Sequence, residues 1–516
     1  MPYASRARSI EKGACLPGTR VDILREITDW IQESDSNSVK RVFWLYGLAG
    51  SGKSAIARTI SEQYAGIGDP GSAFFFVRGD TARPANSLFS TISQNIADYS
   101  TEWRLALSAV LERSKAMRTG LSISEQFEHY ISGIAGQIDS SQSTQQIVVV
   151  IDALDEAGDR EERRQLLDAL KRIGTLPSCL RFLITSRPEY DIREALEPQS
   201  FVQPKDMASI PQTSTYDDIL SFVCKELPDM KRHHTHLAEN AEEIFQWAAT
   251  ACRYIKSNSM KTPYQRLQIM LSADAPGLDS LYKTILEHSW GVDMDEADFQ
   301  CYRSVLACVL AVFEPVTVKT LKELRSVNAL QSVNADESIN TILRPLGALL
   351  RGVSPDSDDP VQPLHTSFRD FLTTSKHSGL FCVNLNLGHE ILALATLDVM
   401  LNSLVFNICQ LENLYMRNSD VLDLKERISQ NIPSSLAYAC QYWSHHAQHW
   451  ADMRLLPRRV EAFLKEKSLF WLEVLSLLGK VSAAPHQLHA IHSMLKVCFH
   501  KCNTLNMITF SESGSH

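Results

Sequence analysis

Along the first part of the chain, short apolar runs alternate with longer stretches of mixed polarity. The runs are RVFWLY, SAFFFV, IVVVI and RFLIT. Each is continuous rather than alternating, the pattern of a strand buried on both faces of a parallel sheet. Between them, SLFSTISQNIADY and EERRQLLDALKRI repeat their apolar residues at helical spacing, and VDILREITDWIQES places Ile23, Ile27, Trp30 and Ile31 on one helical face. Strands that alternate with helices predict a layered α/β domain over residues 20–203, behind an N-terminal arm of residues 1–19.

Beyond residue 203 the strand pattern fades. TYDDILSFVCKEL and AENAEEIFQWAATACRYI read as helices, which predicts a helical domain over residues 204–277. SLYKTILEHSW, YRSVLACVLAVF, VTVKTLKEL and ESINTILRPLGALLRGV are further helices, and a short strand follows at VQPLH. That order suggests a winged-helix domain over residues 278–375. Residues 376–497 are again rich in helix, and the tail, 498–516, has no periodicity. No internal repeat of fixed period and no WD dipeptide is found.

Length and charge narrow the picture. A chain of 516 residues is too long for one core. With 51 basic and 60 acidic residues its net charge is −9, which argues against nucleic acid as the main partner. Its 11 cysteines are scattered and never spaced C-x-x-C, as expected of reduced thiols in a cytoplasmic protein. MPYASRARSIEKG lacks the apolar core of a secretory signal. The most apolar long stretch, LGHEILALATLDVMLNSLVF, contains His389, Glu390, Asp398 and Asn402, so it reads as a buried helix and not a membrane span.

The chemistry concentrates in LYGLAGSGKSAIARTI, Leu45 to Ile60. From Gly47 to Ser54 it fits G-x-x-x-x-G-K-[ST], and it lies between a predicted strand and a predicted helix, as a phosphate loop requires. Glycines leave backbone N–H groups unscreened, so Gly47, Gly50, Ser51, Gly52 and Ala55 are expected to cradle phosphate at the helix start. Lys53 would bridge the β and γ oxygens, and the Ser54 hydroxyl would ligate Mg²⁺. In IVVVIDALDEAG, Asp152 follows a strand directly, where its carboxylate can hold the Mg²⁺ water shell. Asp155 and Glu156 come one turn later, with Glu156 able to orient or deprotonate an attacking water. Gly158 completes D-x-x-G with Asp155, as in GTPases, but no guanine-reading N-K-x-D follows, so the expected ligands are ATP and ADP. A later strand ends in LITSRPE, where Arg187 could sense the γ-phosphate.

Taken in order, CLPGTR, FWLYGLAGSGKS, FFFVRGD, VVIDALDEAG and FLITSRPE resemble the fungal NACHT-type signal-transduction ATPases that share the nephrocystin-like N-terminal module. The likeness continues through EEIFQWAATACRYI, LHTSFRDFL, HEILALATLDVMLNSLVFNICQLEN and YACQYWSHHA. It implies an α/β P-loop NTPase sheet of the additional-strand class, followed by helical, winged-helix and all-α domains. It also implies a switch locked by ADP at rest, which opens or self-associates on ATP exchange and serves fungal non-self recognition or programmed cell death. By the same resemblance Thr19 and Arg20 lie near the adenine, and His365, in LHTSFRDFL, touches the ADP β-phosphate. Read without it, a lone histidine at a strand end is an ordinary core or surface residue.

The chain departs from the family where Glu243-Ile244-Phe245 stands in place of the frequent Gly-Leu-Phe. Family members often carry an N-terminal effector domain and a C-terminal propeller. Neither pattern occurs in this sequence, which suggests a truncated paralogue or a sensor within the helical region. A turnover ATPase and an unregulated scaffold are the alternative functions. His445 and His449, one helical turn apart, could bind a metal but read as a solvated face. Cys498, His500 and Cys502 lie in the aperiodic tail and are not read as a zinc site. A winged helix can also read DNA, but this one has no basic recognition helix, so a packing role is expected.

Overall fold

The computed structural model describes residues 13–33, 40–66, 71–78, 83–113, 121–137, 146–257, 261–272, 277–290, 295–326, 335–354, 357–413, 415–449, 456–494 and 496. The residues Cys498, His500 and Cys502 lie outside that set. The chain divides into two compact units, residues 1–284 with 365–367, and residues 285–364 with 368–516.

The first unit is built on five parallel strands: β1 (Val42–Tyr46), β2 (Gly71–Phe75), β3 (Ile147–Asp152), β4 (Leu180–Ser186) and β5 (Val202–Asp206). Their order is β2-β3-β4-β1-β5, so β4 lies between β1 and β3. This is the additional-strand arrangement of a P-loop α/β fold. The four apolar runs supply β1 to β4, and β3 and β4 are buried along their whole length.

Alternate residues feed two separate cores. Trp44, Phe74, Ile151 and Phe182 pack with Leu88, Ile92, Trp103 and Leu166 on one face. Phe43, Phe75, Val148 and Leu183 pack on the other with helices α1 (Val21–Gln32) and α2 (Lys53–Gly66) through Ile23, Ile27, Ile56 and Ile60. Helices cover both faces, which is why the strands read as unbroken apolar runs.

Strand β5 was not legible as an apolar run. Its sequence is VQPKD, and it pairs only with β1, at the sheet edge. Pro204 has no N–H to donate and is tolerated there because an edge strand needs only one ladder.

The stretch AENAEEIFQWAATACRYI, expected as one helix, is two. One helix ends at Asn240 and the next runs Phe245–Lys256. Between them Glu242 and Glu243 have φ of 43° and 66°. Left-handed backbone costs a non-glycine residue roughly 1–2 kcal/mol, and here it redirects the chain so that a fresh helix N-terminus faces the phosphate loop.

In the second unit the helices Glu296–Ala311, Val318–Ser326 and Ala335–Leu343 precede a two-stranded antiparallel pair, β6 (Leu350–Arg351) and β7 (Gln362–Pro363). The apolar stretch flagged above forms the helix Leu385–Ser403, which packs on Glu296–Ala311. Gly388 makes that crossing close, since a Cβ there would stand 2.2 Å from the Ala307 carbonyl oxygen. The helix Ser434–Ala447 completes the core, with Trp443, Phe463 and Trp471 in edge-on contact. Among the described residues no helix is long and apolar enough to cross a membrane, and every cysteine is an unpaired thiol.

Candidate nucleotide-binding site

The loop 47–52 joins β1 to α2. Gly50 and Gly52 have φ of 82° and 99°, a region that residues with a Cβ rarely enter. Gly47 and Gly50 are also sterically required. A Cβ at Gly47 would lie 2.7 Å from Met207 Cβ, and one at Gly50 2.8 Å from Gln246 Cβ.

Four carbonyl groups of this loop are held by donors from three directions. Lys53 Nζ donates to the Gly47 and Leu48 oxygens, both at 2.8 Å. The Gln246 N–H, at the start of the helix Phe245–Lys256, donates to the Gly50 oxygen at 3.2 Å. Arg20 Nη2 donates to the Ser51 oxygen at 3.1 Å. In a trans peptide the N–H opposes the C=O. Fixing these carbonyls therefore turns the N–H groups of Leu48, Ala49 and Gly52 away from those donors.

Arg20 is buried beneath the loop. Its Nη1 donates to Thr215 Oγ1 at 3.0 Å, its backbone N–H donates to Asp218 at 3.0 Å, and its guanidinium lies 4.8 Å from the Phe245 ring centre. Burial lowers the Arg20 pKa and raises that of Asp218, and each charge partly offsets the other's shift. Thr19 is buried, and its hydroxyl donates to the Leu16 carbonyl at 2.8 Å. Ser54 stands half-buried in the first turn of α2, with Ala55 beside it.

Across the sheet, Asp152 is buried at the end of β3 and accepts a 2.5 Å hydrogen bond from Thr185 Oγ1. Thr185 accepts in turn from the Ala153 N–H at 3.0 Å, so a β4 side chain fixes the acid on β3. Glu156 accepts from the Arg78 N–H at 3.0 Å.

Asp155 is oriented differently. Its Oδ1 accepts from the Arg187 N–H at 2.9 Å and its Oδ2 lies 3.3 Å from Arg187 Nε, so its carboxylate is taken up by the arginine. Arg187 Nη2 reaches Thr366 Oγ1 at 3.3 Å. Next to Thr366, His365 Nδ1 accepts from the Ser367 N–H at 3.2 Å. These three residues, 365–367, belong to the compact unit that contains the phosphate loop.

Sequence reasoning missed Thr185, Thr215, Asp218, Gln246 and Thr366. All five act across long sequence separations. Only Thr185 carried a local cue, being next to a strand end in LITSRPE.

His445 and His449 are exposed, and their neighbour His446, not singled out in the sequence, is buried. His446 Nε2 lies 2.8 Å from the Tyr438 hydroxyl and its Nδ1 3.0 Å from His389 Nδ1. Among the described residues no group of three or more metal-binding side chains is assembled.

The sheet order, the glycine loop and the acidic strand end define the class: this is a P-loop NTPase domain, followed by a largely helical region. Residues 18–187 match the family model described as Nephrocystin 3, N-terminal. The chain is 23% identical over 526 aligned positions to the vegetative incompatibility protein HET-E-1 of Podospora anserina, covering 94% of this chain and 36% of that protein. It thus spans about a third of the relative's length. Among solved structures it is similar to a Walker-type ATPase of Pyrococcus abyssi (12% identity, 69% of this chain and 97% of that one, TM-score 0.32). It is also similar to the ORC2 protein of Aeropyrum pernix (12% identity, 67% and 90%, TM-score 0.33). The class rests on the sheet order and loop geometry, not on these overlaps.

Proposed function

We propose that the protein is an adenine-nucleotide switch of the NACHT type, held closed by ADP and released by exchange for ATP. The observation that carries this reading is the phosphate loop in which the carbonyls of Gly47, Leu48, Gly50 and Ser51 are turned onto protein donors. In this reading Gly47, Gly50, Ser51, Gly52 and Ala55 bind phosphate through the backbone, and Lys53 follows the β and γ oxygens. Ser54 and Asp152 would hold Mg²⁺; a single hydroxyl and a single carboxylate suit an ion that keeps most of its waters. Glu156 handles the attacking water, and Arg187 answers the γ-phosphate. Asp155 acts through Arg187 as its positioning residue. Thr19 and Arg20 close the adenine end, Arg20 also by holding the Ser51 carbonyl.

His365 is the lock. It adjoins Thr366, which Arg187 touches, so one short segment sits beside the γ-phosphate sensor while its own ring donates to the ADP β-phosphate. Opening leads to self-association, and by likeness to HET-E-1 the output belongs to fungal non-self recognition. A hydrogen bond to a charged group contributes about 1.5–3 kcal/mol, so losing it shifts the closed-to-open balance roughly tenfold to a hundredfold. His365→Ala should release ADP faster by that factor and raise the solution mass in the presence of ATP. An unchanged off-rate with unchanged mass would remove the lock.

A further inference from the structure

His365 does not stand alone. Its Nδ1 lies 2.6 Å from the Ser367 hydroxyl as well as 3.2 Å from the Ser367 N–H. The same hydroxyl lies 2.7 Å from the Tyr282 hydroxyl, and Tyr282 is buried on the helix Leu278–Trp290. A backbone N–H can only donate, so Nδ1 must be an acceptor, and a neutral imidazole then carries its proton on Nε2. With Nδ1 accepting, the Ser367 hydroxyl has its hydrogen on the histidine side and a lone pair toward Tyr282. The chain therefore runs one way: Tyr282 O–H to Ser367 Oγ, Ser367 O–H to His365 Nδ1.

We infer that Tyr282 and Ser367 are positioning residues that hold His365 in the tautomer with its proton on Nε2, so that the ring offers a diphosphate a donor and not a lone pair. This rests on the reading of His365 as the nucleotide lock. The opposite tautomer would turn a nitrogen lone pair toward phosphate oxygens, and the contact would become repulsive. Protonating Nδ1 would set its hydrogen against the fixed Ser367 N–H.

The test uses the full chain and a fluorescent ADP chased with excess ADP. Tyr282→Phe keeps the buried ring and removes only the hydroxyl; Ser367→Ala removes the middle of the chain and keeps its N–H. Each should speed ADP release by about two- to tenfold, the range for losing one neutral hydrogen bond. Ser367→Thr should restore the wild-type rate. In a His365→Ala background Tyr282→Phe should add nothing, because no ring is left to orient. If His365→Ala speeds release while Tyr282→Phe and Ser367→Ala do not, or if Tyr282→Phe is equally effective without the histidine, the relay is overturned and the lock survives. If His365→Ala itself is silent, the lock fails, and histidine ¹⁵N spectra then judge the relay by themselves. An Nε2–H signature that weakens in Ser367→Ala upholds it, and one identical to wild type overturns it.

Discussion

Asp155 tests whether geometry or motif position assigns its role. Its motif places it with the acids that serve water and metal, yet its carboxylate bridges the N–H and the Nε of Arg187, at 2.9 and 3.3 Å. The Asp155 backbone is held separately, because Arg163 Nη1 donates to its carbonyl at 3.1 Å and is itself paired with Glu189 and Asp191. Asp155→Asn should therefore leave the loop in place, keep an oxygen for the Arg187 N–H, and remove only the charge. A hydrogen bond to a charged group contributes about 1.5–3 kcal/mol. The Asp155 side chain is 4% exposed but that of Arg187 is 25% exposed, so solvent screening sets the expectation at the lower end, about 1.5 kcal/mol. Urea unfolding of wild type, Asp155→Asn, Arg187→Ala and the double variant should give a coupling energy of that size. In single-turnover ATP hydrolysis each single variant should fall by about tenfold, 1.5 kcal/mol corresponding to that factor, and the double variant should fall no further. Effects that multiply, with no coupling in the melts, would refute the pairing and return Asp155 to an independent role at the water.

Glu243→Gly should stabilise the protein by roughly 1 kcal/mol, the relief of left-handed strain less the extra chain entropy of glycine, read as a higher urea midpoint; a lower midpoint contradicts it. Asp152→Asn should weaken Mg-nucleotide binding, whereas Glu156→Gln should retain ATP and slow its cleavage, and wild-type turnover in both would remove these roles. The second unit should be acid-labile. Burial first, then the His449 and Arg369 charges, lowers the His389 pKa to about 4, and burial with its histidine neighbours lowers that of His446. Both titrate below the unfolded value near 6.5, so their contribution is complete above that pH and is lost as pH falls toward 4, at about 1.4 kcal/mol per pH unit for each histidine. His389→Gln should flatten this slope, and an unchanged slope would contradict the assignment.

The sequence made the parallel sheet and its phosphate loop legible for a physical reason. Strands buried on both faces must be apolar throughout, and a backbone that wraps an anion must be rich in glycine. β5 escaped because an edge strand has neither constraint, and VQPKD looks like a loop. The break after Asn240 escaped because Glu242 and Glu243 are good helix formers whose backbone is imposed by tertiary structure. The pairing of Asp155 with Arg187, the Arg20 clamp and the buried His446–His389 contact were hidden for a third reason. Each joins residues far apart in the chain, and periodicity reports only which face of an element is buried, not what it meets. His365 was raised only by family resemblance; its Nδ1 partners came from the fold.

The central claim is that adenine nucleotide sits on the loop whose carbonyls Lys53, Gln246 and Arg20 hold. The direct measurement is the nucleotide released on denaturing the purified full chain, with thermal melts taken before and after adding ADP. Wild type should yield ADP at about one equivalent per chain, and added ADP should raise the melting temperature of stripped protein, since a ligand bound only by the folded state stabilises it. Lys53→Ala should yield none and melt identically with and without ADP. Wild-type protein that releases no nucleotide and does not respond to ADP, or a Lys53→Ala variant that matches wild type in both, would contradict the account.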